Sequence, residues 1–156
     1  MKVLLDTDPG SDIDDLIALA YLLARPETEL IGITVATGQP RRRADLVRSL
    51  LTDHGTDVPV NAGYVAPLAR DENQPEVPHG DAASGEFSHD PSDPADFLAR
   101  HLERHGNGEV VLFGIAGLTN VARLQARHPK SFARAKEVLL MNGQFREDWT
   151  EWNVQC

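Results

Sequence analysis

The sequence predicts an α/β fold: an open, mostly parallel sheet with helices on both faces. Three observations lead there. Short apolar runs alternate along the chain with segments of helical periodicity. The apolar runs are nearly continuous rather than alternating, the pattern of strands buried on both sides. The helical segments carry one-sided apolar stripes that need a sheet to pack on.

Taken in order, Lys2 to Leu5 forms a short strand that ends in acid, and Asp14 to Ala24 is a helix with Leu16, Leu19, Ala20, Leu23 and Ala24 at helical spacing. Pro26 stops it. Glu29 to Ala36 (ELIGITVA) is a β-branched strand, and Arg41 to Leu51 a helix with Ala44, Val47, Leu50 and Leu51 on one stripe. Val58 to Asn61 gives a third, short strand. Between Ala66 and Pro94 the composition changes, with five of the ten prolines among glycine, serine, acids and two histidines. A loop of that length in a compact domain points to function or disorder. Periodicity resumes with a helix from about Asp93 to His105, a strand at Glu109 to Phe113, a helix from about Thr119 to Arg127 and a strand at Glu137 to Met141. The last fifteen residues offer no helix to cover that final strand.

A chain of 156 residues with 41% hydrophobic content is expected to be one domain, 1 to 156. Its 24 acidic and 15 basic residues give a formal net charge of -9, and the bases are scattered apart from Arg41, Arg42 and Arg43, which argues against nucleic acid as a partner. The run of three at a helix start is electrostatically unfavourable and is read as a solvated face or an anion contact. The single cysteine, Cys156, excludes an intrachain disulfide and fits a reducing compartment. The opening MKVLLD is too quickly acidic for a secretory signal and no stretch approaches a membrane span, so the expectation is a cytoplasmic protein without membrane contact.

The chemistry concentrates in VLLDTDPGSDIDDLIALAYLLA, residues 3 to 24, where Asp6, Asp8, Asp12, Asp14 and Asp15 fall within ten residues after a buried strand. Ligands of open α/β sheets bind at the carboxyl ends of strands. A phosphate loop there would need glycines and positive charge; this turn has the opposite sign. Carboxylates so dense repel one another, and a hard cation with oxygen ligands such as Ca²⁺ or Mg²⁺ relieves the repulsion. Pro9 and Gly10 supply the turn that folds the second acidic group toward the first. The plainer alternative makes Asp12 or Asp14 a helix cap and leaves the others solvated. An EF-hand is excluded: counted from Asp6, glycine comes one position early and the twelfth position is Ile17 instead of glutamate.

DTDPGSDIDDLIALAYLL resembles the N-terminal signature of the nucleoside hydrolase family, the inosine-uridine preferring and related N-ribohydrolases. GITVATG (32 to 38), PVNAGYVAPL, HGDAASG (79 to 85), VVLFGIAGLTNVARLQARHP, EVLLMNGQF and EWN resemble further family segments in the same order. The resemblance implies a calcium ion held by Asp8 and Asp15, with Asp6 as a supporting or ligating carboxylate and Thr119 giving its backbone carbonyl. It implies Asp8 as general base toward water, Asp14 on ribose hydroxyls, and Glu151 and Asn153 clamping the sugar. His79 and His89, in the long loop, are the histidines placed for ligand contact, whereas His54, His101, His105 and His128 fall late in helices or just after them and read as structural. Trp149 and Trp152 could stack on a base. The implied function is calcium-dependent hydrolysis of the N-glycosidic bond of nucleosides or related ribosides in purine and pyrimidine salvage.

The chain departs from the family pattern in the three residues between Gly10 and the aspartate pair, in Gly38 where an asparagine is usual, and in the short stretch from Gly143 to Glu151. Family members are about twice this length, and their second half brings another metal-ligating aspartate and a histidine for the leaving group. The alternatives are therefore a non-catalytic calcium- or ribose-binding domain, or a half-enzyme completed by a complementary C-terminal chain or a homo-oligomer.

Overall fold

The computed structural model describes residues 1–68, 76–77 and 87–143. Five strands, β1 (Lys2–Thr7), β2 (Glu29–Val35), β3 (Val60–Ala62), β4 (Val110–Gly114) and β5 (Glu137–Leu140), form one sheet in the order β3-β2-β1-β4-β5. Every pairing is parallel. The helices are α1 (Asp14–Leu23), α2 (Pro40–Asp53), α3 (Pro94–Arg104), α4 (Thr119–Arg127) and the single turn α5 (Pro129–Phe132).

Because β1 has a strand on each side and helices above and below, its apolar residues have no solvent side, and Val3, Leu4 and Leu5 are all buried. Period-2 alternation sends them to two cores. Leu4, Val110 and Leu112 pack with Phe97, Leu98, Leu102, Val121 and Leu124 from α3 and α4. Leu5, Ile33, Val35 and Ile115 pack with Leu19, Ala44, Val47 and Leu51 from α1 and α2. Helices therefore cover both faces, as the nearly continuous apolar strands imply.

Every expected strand and helix is present, with ends moved by no more than two residues. The sequence reading missed α5, because a four-residue turn beginning at a proline carries no periodicity. The end of the long loop is tied to the sheet: Asn61 Nδ2 donates to the carbonyls of Asp90 at 3.0 Å and Ser92 at 2.8 Å. At the opposite edge, among the described residues, β5 pairs only with β4, and Leu139, Leu140 and Met141 are exposed.

The strand order places the reversal between β1 and β4. Chain connections leave β1 toward β2 on one side and return to β4 on the other, so the carboxyl ends of β1 and β4 flank a crevice of the kind that binds ligands in open α/β sheets.

Candidate metal and ribose site

The carboxyl end of β1 carries Asp6, Thr7 and Asp8 into that crevice, and all three are buried. The last pairing of β1 with β4 sets Asp6 beside Gly114, and the Asp6 carbonyl accepts from the amide of Ile115 at 2.8 Å. Gly10, at φ 115°, then turns the chain back in a conformation that disfavours any side chain. The turn delivers α1 so that Asp15, in its first helical turn, faces β1. Thr7 Oγ1 donates to Asp15 Oδ1, and the Asp8 amide reaches the same oxygen at 3.3 Å. Asp12 and Asp14 are exposed. Neither caps the helix: the residue before α1 is Ile13, and no side chain bonds the free amides.

Each buried carboxylate has one oxygen engaged by neutral donors. Thr34 Oγ1, from β2, donates to Asp6 Oδ1 at 2.6 Å, and Asn120 Nδ2, from α4, donates to the same atom at 2.7 Å. Asn120 is itself fixed by the Tyr64 amide, 3.1 Å from its Oδ1. That geometry needs Gly63, because a Cβ there would lie 2.2 Å from the Val35 carbonyl and 2.5 Å from the Asn120 amide nitrogen. Asp6 Oδ2 is buried and has no hydrogen-bond partner among the described residues. Thr37 Oγ1, in the turn after β2, donates to Asp8 Oδ2 at 2.7 Å.

Burial raises all three carboxyls. It pushes Asp6 up to about 7 against the pull of Thr34 and Asn120, with the charges of Asp8 and Asp15 adding to the rise. It pushes Asp15 up to about 6, opposed by Thr7. Asp8 is raised by the same cause, and Thr37, the Arg43 charge and the Gly117 amide hold it down. Carboxyls pushed toward neutral pH by desolvation and by one another mark a crevice that accepts protons or a cation.

Sequence reasoning missed four of the groups that shape this site. Thr34, Thr37 and Asn120 stand inside motifs whose side chains it left unassigned. Arg43 was grouped with Arg41 and Arg42 as a solvated face, and the structure overturns that: Arg43 is completely buried. Its Nε donates to the Thr37 carbonyl at 2.9 Å, Nη1 to the carbonyls of Asp8 at 2.8 Å and Pro9 at 3.0 Å, and Nη2 to Ser11 Oγ at 3.1 Å. The signal was present, since Arg43 precedes Val47 and Leu51 at steps of four on the buried stripe. Thr37 adopts φ 68°, a left-handed conformation costing a β-branched residue about 1–3 kcal/mol.

Among the other expected site residues, Thr119 is buried at the start of α4, directly after β4. His79, Glu151 and Asn153, with Trp149 and Trp152, lie outside the described residues. His89 Nε2 sits 3.1 Å from Asp45 Oδ1, without hydrogen-bonding geometry. His101 is buried on Phe97, its Nδ1 2.8 Å from the Phe97 carbonyl, and burial lowers its pKa.

Hard cations take carboxylate oxygens, and the β1 end offers those of Asp8 and Asp15 with an Asp6 Oδ2 that has no partner among the described residues. Among the described residues no three His, Cys, Asp or Glu side chains converge as a complete metal cage. Backbone, water or substrate oxygens would have to finish the shell.

Comparison with known proteins decides the family. Residues 3–156 match the model for inosine-uridine preferring nucleoside hydrolases. The chain belongs to that family. It is 32% identical over 155 residues to the inosine-uridine preferring nucleoside hydrolase of Leishmania major, covering 92% of this chain and 49% of that protein. To the pyrimidine-specific ribonucleoside hydrolase RihA of Escherichia coli it is 29% identical over 168 residues, covering 99% of this chain and 53% of the relative. The chain thus spans about half the length of the curated relatives it matches. Among solved structures, a plant nucleoside hydrolase superposes with TM-score 0.78 at 24% identity, over 92% of this chain and 48% of that one. The inosine-uridine preferring nucleoside hydrolase of Bacillus anthracis gives 0.77 at 22% identity, over 94% and 52%. These likenesses establish the nucleoside hydrolase fold for the described sheet.

Proposed function

We propose that this chain carries the calcium- and ribose-binding part of a nucleoside hydrolase, which cleaves the N-glycosidic bond of ribonucleosides or related N-ribosides to release base and ribose. The observation that carries the reading is the set of three buried carboxylates at the β1 end, each with one oxygen engaged by neutral donors and a pKa raised by burial.

In this reading Asp8 and Asp15 hold the cation with the Thr119 carbonyl, and Asp6 supports them. Bound calcium supplies water of lowered pKa and a grip on sugar hydroxyls. Asp8 is the general base, its carboxylate oriented by Thr37 on Oδ2 and by the Gly117 amide. Asp15 is anchored through Oδ1, which leaves Oδ2 for the cation. Exposed Asp14 accepts from ribose hydroxyls, and Glu151, Asn153 and His79 are assigned to substrate binding by the family resemblance. Anionic groups around the ring stabilise the oxocarbenium-like charge that develops as the bond breaks. The substrate class is small nucleosides, and we place the reaction in cytoplasmic purine and pyrimidine salvage.

A second reading is favoured because no three ligating side chains converge among the described residues: a half-site that binds calcium or ribose and turns over only when a complementary C-terminal chain or a second copy completes it. Calcium titration by calorimetry, followed by a reducing-sugar assay with mixed nucleosides, separates the two. Calcium binding with released ribose, both abolished in Asp8→Ala, supports the hydrolase. Calcium binding without ribose supports the half-site, and unchanged behaviour of Asp8→Ala overturns the assignment of the base.

A further inference from the structure

We propose that Arg43 and Thr37 form a positioning relay that aims the Asp8 carboxylate, Arg43 acting through Thr37 and through the turn that carries Asp8. The inference rests on Asp8 being the base of the proposed hydrolysis.

A cation at the start of a helix opposes the helix dipole, and a fully buried guanidinium is costly to desolvate. At this position the charge serves three segments at once. Nε holds the carbonyl of Thr37 in the β2–α2 turn, Nη1 holds the carbonyls of Asp8 and Pro9, and Nη2 holds Ser11 of the acidic turn. Because the guanidinium is planar and rigid, those partners keep a set distance from each other. An ammonium at the end of a lysine offers no such plane.

Thr37 converts this backbone clamp into side-chain aim. Its left-handed φ of 68° is one that threonine seldom adopts, and the bond from Arg43 to its carbonyl helps to keep it there. In that conformation Oγ1 reaches Asp8 Oδ2 at 2.7 Å. The hydroxyl fixes Oδ2 as an anchor, and the Gly117 amide also bonds the carboxylate, so the plane of the Asp8 carboxylate is set by the turn that Arg43 clamps. Residues that orient a reactive carboxylate in this way matter nearly as much as the carboxylate itself.

The test is a double-mutant cycle on the full chain with calcium present, using an activated aryl riboside, whose leaving group needs no protonation. Thr37→Val and Arg43→Lys should each lower kcat by about tenfold or more with KM changed by less than about twofold. The double variant should be no worse than the poorer single one, since both act on one carboxylate. Thr37→Ser, which keeps the hydroxyl, should restore most of kcat. Unchanged kcat in Thr37→Val, or losses that multiply in the double variant, would overturn the relay. A fall in melting temperature with kcat per folded molecule intact would overturn it too, leaving Arg43 a structural tie. If the wild-type chain turns over no riboside, the hydrolase reading fails by itself and the cycle is read in calcium affinity. Non-additive weakening then supports the relay, and equal affinities overturn it.

Discussion

Two helices of nearly equal length show what the site asks of the fold. α3, eleven residues, buries seven of them and is capped by Asp93, whose carboxylate accepts from the amides of Ala95 at 2.9 Å and Asp96 at 3.4 Å. α1, ten residues, is apolar on nearly every side yet buries only Asp15 and Leu19, with Ile17 58% and Tyr21 59% exposed. No side chain caps it, although two aspartates flank its first residues. The difference is one of purpose. α3 is arranged for packing, while the start of α1 is arranged to turn Asp15 back onto Thr7 and Asp8.

That contrast can be broken or sharpened by measurement. The largest effect belongs to α3: Phe97→Ala should cost about 3–5 kcal/mol in denaturant unfolding, because the ring is completely buried among Leu98, Leu102 and Leu112. Next comes the acidic turn, read through pH. Asp6 has its folded pKa raised from the ordinary 3.8 to about 7, so the folded state holds its proton more tightly than the unfolded chain. The stability this contributes is complete below about pH 4 and is lost as pH rises through 7, a change on the order of a few kcal/mol. Thermal melts in chelator should therefore fall between pH 5 and pH 8 by an amount that Asp6→Asn reduces, with raised Asp15 and Asp8 keeping the remainder. Added calcium should offset the fall if these carboxylates take the cation. Asp93→Ala removes the cap together with the bond from the Tyr64 hydroxyl and the Arg127 ion pair, and should cost about 1–2 kcal/mol, seen as a lower midpoint with an unchanged slope. Smallest of all, Ile17→Lys on the outer face of α1 should stay within about 0.5 kcal/mol of wild type in the same titration. A loss of several kcal/mol there would show that the face is covered in solution.

Most of the architecture was legible in the sequence because it rests on period: apolar runs for strands and helical periodicity for α1, α2, α3 and α4, with Pro26 closing α1. The acidic turn was legible too, since five aspartates after a buried strand are hard to explain by packing. What stayed hidden depends on shape. Nothing local announces that Thr37 takes a left-handed conformation, and Arg43 was obscured by its two exposed neighbours although its spacing to Val47 and Leu51 placed it inward. Asn120 reaches Asp6 across more than a hundred residues of chain, a contact that becomes visible only once β1 and β4 are side by side.

That adjacency governs when the site can form as well as where. Lys2 pairs with Val110, so the central strand gains its second neighbour from more than a hundred residues further along the chain. Closing so long a loop costs entropy before any pairing is made, and contacts of this range slow folding. During synthesis β1, α1, β2, α2 and β3 can assemble while Asp6 still lacks Asn120 and the cover of β4. Full burial of Asp6 thus depends on contacts from residues more than a hundred positions later in the chain, and a variant that loosens β4 or α4 returns that carboxylate to water.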